Sequence, residues 1–353
     1  MFSYLLVGGT FDDKDGKKSG YVRKLSESLA TLNPCGYVLN GGNYEMLKHA
    51  LEHIEFYDVI LWFPNVPNDK PKLIKDIKKI YPSKILVCSK NNIEDKYDFM
   101  SLIARALSIK ANLFLEIHKK NDKIMAKLCD PLGNLFCNTG DIPEFASALI
   151  HRLSELRGFT RMRSICDDLR PHPPTSDESR FIKCSIQYAE IFHEMVHPEN
   201  TSRFLGNISF RCEKGFPSFK IDNCIYVSPR NMDKRTITQD IFVPVYLTST
   251  GLYYKGELKP SVDAPLQAIL YNFYKNIRYM IHSHTYIQYI PFLSKIIPCG
   301  AIEEAYEIIK KYPDCDKDFL MINLKGHGSL AMSSSVEDLE NIAYIKRDVP
   351  ELP

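Results

Sequence analysis

Apolar and polar positions follow one repeating rhythm through the first part of the chain. Short apolar runs rich in β-branched and aromatic residues alternate with longer stretches whose apolar residues recur every three or four positions. Tyr4–Val7, Gly36–Leu39, Val59–Phe63 and Ile85–Cys88 are of the first kind. Gly20–Leu32, Tyr44–Ile54, Lys70–Tyr81 and Asp98–Ser108 are of the second, with Leu73, Ile74, Ile77 and Ile80 on one stripe. Asn112–Ile117 and Ile124–Cys129 read as a closing pair of strands, and Ile142–Leu156 as a final helix. Strand–helix alternation at this spacing predicts an α/β domain over residues 1–158, a mostly parallel sheet covered by helices.

A Rossmann- or flavodoxin-like sheet of this kind binds ligands at loops leaving the carboxyl ends of its strands. Gly8-Gly9-Thr10, Asn40-Gly41-Gly42-Asn43 and Phe63–Asn68 occupy such places. Glycines before a helix can cradle a phosphate with backbone N–H groups. Neither GxGxxG nor GxxxxGK[ST] occurs, however, and glycine pairs at such turns more often serve tight backbone geometry. The ligand of this domain stays open, and it reads as a binding or interaction module.

The rhythm breaks at Arg170-Pro171-His172-Pro173-Pro174-Thr175-Ser176-Asp177-Glu178, where three prolines occur with no apolar residue. Residues 159–177 therefore read as a linker, and a second domain is expected over 178–353. Ser176 or Asp177 can cap its first helix, through Phe181, Ile182, Ile186, Ala189 and Ile191. Several short strands and helices follow, an α+β grammar.

Composition narrows the function class. The net charge of +2 supplies no excess of cations for general nucleic-acid binding. No apolar run approaches the roughly 18 residues of a membrane span. Met1–Val7 lacks a basic leader and stops at Gly8-Gly9, so it reads as a strand rather than a signal peptide. Ten scattered cysteines without a CxxC pair fit reduced thiols and a cytoplasmic protein.

Two candidate metal motifs stand out. In Ile281-His282-Ser283-His284, strand alternation would project His282 and His284 to one side while Ser283 faces away. His193-Glu194-Met195-Val196-His197 fits the HExxH signature of zinc proteases. Pro198 follows immediately, which ends the helix that such a site needs.

The second half carries an ordered series of motifs. Gly206-Asn207-Ile208-Ser209-Phe210-Arg211 comes first, then Tyr226-Val227-Ser228-Pro229-Arg230-Asn231. Lys259-Pro260-Ser261-Val262-Asp263 precedes the His282-Ser283-His284 strand, and Asn323-Leu324-Lys325-Gly326-His327-Gly328 closes the series ahead of Val336-Glu337-Asp338-Leu339. In order and spacing this resembles the class II aldolase and adducin family, whose turns read GNxSxR, SPSG, PSSE and HG. The resemblance covers residues 178–353 and implies an α/β/α domain.

Three imidazoles with one open position suit a catalytic Zn²⁺, or Fe²⁺, Co²⁺ or Mn²⁺. His282, His284 and His327 would hold it, the glycines beside His327 letting the backbone turn to meet the pair. Such a Lewis acid would stabilise an enediolate of a small hydroxy-carbonyl substrate. The resemblance makes Asp263 the proton-transferring carboxylate, in place of the family's Glu, and makes Asn207, Ser228, Arg230 and Ser261 the substrate-holding residues. Arg230-Asn231 replaces the family's Ser-Gly pair and Val262 its second serine, so a phosphate on the substrate is in question. The family implies a homo-oligomer, a tetramer by analogy. The rival from another class is an adducin-like interaction protein that kept the fold and lost turnover.

Overall fold

The computed structural model describes residues 1–67, 73–192, 203–211 and 224–351. The chain forms two compact units, Met1–Gly158 with Val349–Pro353, and Phe159–Asp348.

The first unit is built on seven strands: β1 (Tyr4–Asp12), β2 (Gly36–Asn43), β3 (Val59–Asn65), β4 (Ile85–Asn91), β5 (Leu113–Lys120), β6 (Lys123–Cys129) and β7 (Leu135–Thr139). Their order is β2-β1-β3-β4-β5-β6-β7. The first five are parallel, and β6 and β7 extend the sheet as antiparallel neighbours. The parallel part has the 2-1-3-4-5 order of flavodoxin-like sheets. Both faces are covered, as parallel sheets require. Tyr4 and Leu6 pack with Leu25 and Leu29 of the helix Gly20–Leu32, while Leu5 and Val7 pack with Leu39 and Leu47 on the other face. Strand β7 has no counterpart in the apolar pattern, because it is a short run between Gly133 and Gly140.

The glycine-rich turns at the ends of β1 and β2 are knitted to each other. Thr10 N–H donates to the Lys17 carbonyl (2.8 Å) and Gly16 N–H to the Gly42 carbonyl (3.0 Å). A Cβ on Gly9, where φ is +77°, would lie 2.7 Å from the Gly41 nitrogen. Ser19 and Asn40 exchange hydrogen bonds across the same turn (2.8 and 3.0 Å). These glycines allow backbone to meet backbone, the tight-geometry role.

The second unit contains an eight-stranded sheet of β8 (Ser164–Asp168), β9 (Asn207–Arg211), β10 (Cys224–Val227), β11 (Val243–Thr248), β12 (Gly251–Lys255), β13 (Tyr279–Ser283), β15 (Phe319–Leu324) and β16 (Gly328–Ser333). A separate pair joins β14 (Tyr286–Ile287) to β17 (Tyr344–Ile345). The large sheet runs β15-β16-β13-β9-β10-β11-β12-β8, antiparallel except where β8 joins β12. Successive residues of a strand feed opposite cores. Met280 packs with the helix Ala264–Phe273 through Leu266 and Leu270, whereas Tyr279 and Ile281 pack with Phe181 and Phe192 of the helices Ser179–Ile186 and Ala189–Phe192. Helices thus cover both faces, the α/β/α layering.

Two boundaries differ from the sequence expectation. Residues 159–177 belong to the second unit rather than forming a bare linker, because Ser164–Asp168 adds a parallel edge strand to β12. Residues 349–351 belong to the first unit, because Leu135 N–H donates to the Glu351 carbonyl (2.7 Å) and Glu351 N–H to that of Gly133 (2.9 Å).

Candidate metal centre

Strand β13 lies between β9 and β16, which sets His282 opposite Asn207 on one side and Leu330 on the other. Two glycines permit the close approach of these elements. Gly206 has φ +70°, and a Cβ there would sit 2.8 Å from the His282 carbonyl oxygen. Gly328 has φ +150°, and a Cβ there would overlap the carbonyl oxygen of Ser283. Gly326, at φ +70°, completes the turn that carries His327 back to the strand.

His282, His284 and His327 meet. Their ring centroids are 5.1 Å (His282–His284), 4.7 Å (His282–His327) and 5.3 Å (His284–His327) apart. One nitrogen of each lies within 4.8 Å of the others, and all three residues are buried. The buried atoms His282 Nε2, His284 Nδ1 and His327 Nε2 have no hydrogen-bond partner. Native interiors rarely leave such nitrogens unpaired, since each costs the desolvation of a polar group. Three in one place fit the donor set of a first-row divalent cation.

Outer partners fix which nitrogen faces inward. His282 Nδ1 is 3.0 Å from the Ser329 carbonyl oxygen, which accepts only, so Nε2 keeps its lone pair. His327 Nδ1 stands 2.9 and 3.0 Å from the two oxygens of Glu304, on the helix Glu303–Lys311, which leaves Nε2 as the nitrogen without a partner. Burial, together with the neighbouring His327, holds His282 down to about 4. Burial pushes His284 well below the imidazole range as well, with His282 adding to it. Both are neutral near pH 7, the form that ligates. For His327, burial is outweighed by the Glu304 carboxylate, which raises it.

Asp263 stands at the N-cap position of the helix Ala264–Phe273, yet its side chain makes no capping hydrogen bond. Its Oδ2 instead accepts from Asn207 Nδ2 (3.1 Å) and lies 3.8 Å from His282 Nε2. Its Oδ1 accepts from Cys299 Sγ (3.3 Å). Burial alone would raise Asp263, but His282 and His327 outweigh it and hold the carboxyl below its usual range. Asn207 is clamped on its other side by Gln267, whose Nε2 donates to Asn207 Oδ1.

The remaining sequence candidates divide. Ser261 is buried, its Oγ accepting from the Asp263 N–H (3.4 Å), so it belongs to the Asp263 group. The hydroxyl of buried Ser228 accepts from the Ile208 N–H (3.2 Å), which ties β10 to β9. Arg230 Nε donates to the Pro260 carbonyl (3.2 Å), and burial holds its guanidinium below the usual range, partly offset by Asp263 and Cys299. Asn231, where the motif has glycine, adopts φ +60°, so the turn keeps its left-handed residue.

Three residues escaped the sequence reading. Glu304 sits in the first turn of its helix, where acids ordinarily complement the helix dipole. Cys299 is one of many scattered cysteines. Lys234 is 1% exposed and is held down to about 8 by burial, partly offset by Asp233 and Asp263; its charge also acts on His282 and His284. The HExxH segment, residues 193–197, lies outside the described residues. Among the described residues all cysteines are free thiols, and no helix is long and apolar enough to cross a membrane.

Residues 186–298 match the family model of the Class II Aldolase and Adducin N-terminal domain. The match spans Asn207, Ser228, Arg230, Ser261, Asp263, His282 and His284, while His327 lies beyond it. No curated protein matches the chain. Among solved structures, the DNA/pantothenate metabolism flavoprotein from Streptococcus pneumoniae is 13% identical, covering 44% of this chain and 100% of that one at a TM-score of 0.36. YgbL from Klebsiella pneumoniae, a putative aldolase/epimerase/decarboxylase, is 13% identical over 46% of this chain and 83% of that one, with a TM-score of 0.30. An L-fuculose 1-phosphate aldolase is 16% identical over 47% and 82%, with a TM-score of 0.32. On the family model, residues 186–298 resemble the class II aldolase and adducin family.

Proposed function

We propose that the second unit is a divalent-metal-dependent lyase of class II aldolase type, acting on a small hydroxy-carbonyl compound. One observation carries the reading: three buried imidazole nitrogens without partners converge beside the buried carboxylate of Asp263. His282 Nε2, His284 Nδ1 and His327 Nε2 would hold the cation, with Zn²⁺ the first choice. Once bound, it supplies Lewis acidity to the substrate's hydroxyl and carbonyl oxygens.

The chain's own groups do the rest. Asp263 takes the proton from the substrate's β-hydroxyl as the carbon–carbon bond breaks, then returns one to the carbon α to the carbonyl. Asn207 and Cys299 each hold one of its oxygens, and Gln267 fixes Asn207. Arg230 and Ser261 border this group and would hold the substrate with Asn207. The family resemblance makes a homo-oligomer, a tetramer, the assembly to test.

The test is metal content of the purified protein beside His282→Ala/His284→Ala, by elemental mass spectrometry. About one divalent ion per chain, lost in the double variant, supports the reading, and hydroxy-carbonyl compounds are then screened for cleavage. Absence of metal after reconstitution with Zn²⁺, or metal that survives the double variant, overturns it.

A further inference from the structure

Lys234 brings to this centre a charge that the proposed reaction leaves unused. It opens the 3₁₀ turn Lys234–Thr236, and only 1% of the residue is exposed. Among the described residues, no hydrogen bond or ion pair holds its ammonium. The carboxylates around it are engaged elsewhere. Asp233 turns both oxygens to Arg235, whose Nε and Nη2 donate to them (3.0 and 2.7 Å). Asp263 accepts from Asn207 and Cys299 (3.1 and 3.3 Å).

The loop that carries Lys234 is fastened to the centre from two sides. Arg230 N–H donates to the Lys259 carbonyl (2.8 Å), next to Pro260-Ser261-Val262-Asp263. Phe204 N–H donates to Asn231 Oδ1 (3.1 Å), just ahead of Gly206-Asn207. Lys234 is therefore near enough for its charge to act on His282 and His284 and to feel that of Asp263. An ammonium buried without a counter-ion is costly, because its hydration is lost and nothing replaces it. It still carries its proton near pH 7, since burial brings it down only to about 8. A charge kept at that cost beside a site open to substrate fits an anion that arrives from outside.

We propose that Lys234 binds an anionic oxygen group, a carboxylate or a phosphate, on the hydroxy-carbonyl substrate of this site. The proposal deepens the reading above and rests on it, narrowing the substrate to hydroxy-carbonyl acids or their phosphate esters. The ammonium carries three rotatable N–H donors on one point charge, which suits either group. Substrate binding then replaces the hydration that Lys234 lost on folding, and a neutral analogue of the same shape replaces none of it.

The experiment is titration calorimetry on the full-length, zinc-loaded protein and on Lys234→Met, with zinc content measured on the same samples. The probes are glycolate, inorganic phosphate and the neutral glycolamide. Lys234→Met should weaken at least one anion about 10- to 100-fold and change glycolamide by less than about twofold, with zinc retained. Lys234→Arg, which keeps the charge, should recover most of the lost affinity. Weakening confined to glycolate assigns the group as a carboxylate, and weakening confined to phosphate assigns it as a phosphate. Equal weakening of glycolamide and the anions, or no weakening of either anion, overturns the role of Lys234. Loss of zinc in Lys234→Met overturns it too, by marking the lysine as structural. Wild-type protein that holds zinc but binds neither anion overturns it and leaves the imidazole site standing, whereas wild-type protein that takes up no zinc overturns both readings. Should Lys234→Met fail to fold, Lys234→Gln serves as the second variant.

Discussion

Both units place positive-φ glycines where two backbones nearly touch, yet the outcomes are opposite. In the first, Gly9 and Gly41 bring the ends of β1 and β2 against residues 16–17, and carbonyls and amides satisfy one another. In the second, Gly206 and Gly328 press against the carbonyls of His282 and Ser283, which brings Asn207 and His327 beside the paired histidines. The glycine reports only that backbones approach. The flanking residues decide the result: the Thr10 N–H and the Asn40 side chain close a turn, whereas the side chains of Asn207 and His327 gather about unpaired imidazole nitrogens.

The most severe way to break the comparison is to remove the imidazoles. His282→Ala/His284→Ala should reduce bound metal from about one ion per chain to none by elemental analysis, because one remaining nitrogen leaves the coordination sphere incomplete. Gly328→Ala comes next. Its β-carbon overlaps the Ser283 carbonyl and strains a φ of +150°, so a loss of about 2–4 kcal/mol is expected in urea unfolding, together with loss of metal. The matched change in the first unit, Gly9→Ala, should cost about 1–3 kcal/mol and leave metal content unchanged. A drop in metal from Gly9→Ala would erase the contrast. Glu304→Ala should weaken zinc affinity about 10- to 100-fold in a chelator competition, since the carboxylate orients His327, and Glu304→Gln, which keeps an acceptor oxygen, should lose less. Smallest in structural effect is Asp263→Asn, which should retain the metal while abolishing cleavage of any substrate found, read from paired metal analysis and turnover.

Much of this was legible from the sequence. Strand–helix alternation announces the parallel sheet because both of its faces are apolar, and a run such as Leu5-Leu6-Val7 has no other home. The edges were harder. Ser164–Asp168 offers only Ile165 and Cys166 as apolar residues and pairs at a sheet margin, where little burial is demanded, so nothing in its pattern marks a strand. The histidines were visible because HxH on a strand and a histidine between glycines are local patterns with a geometric meaning. Glu304, Cys299 and Lys234 were not, because each reaches the centre through tertiary packing, and burial of a charged side chain leaves no trace in its neighbours. Asp263 falls between these cases: its position looks like a helix cap, and only the absence of a capping bond shows the carboxylate turned to Asn207 and Cys299.

The return of Glu351 to Gly133 and Leu135 makes the second unit an insertion within the first rather than a bead threaded after it. Residues 159–348 leave the first unit after Gly158, and the chain returns to it at Val349, where hydrogen bonds of Glu351 hold the returning segment. A protease nick after Asp348 therefore leaves the two units covalently joined at Gly158, whereas a nick after Gly158 leaves residues 349–351 attached to the rest of the first unit through hydrogen bonds. A polypeptide ended at Gly158 leaves the Leu135 N–H and the Gly133 carbonyl without the partners that Glu351 provides.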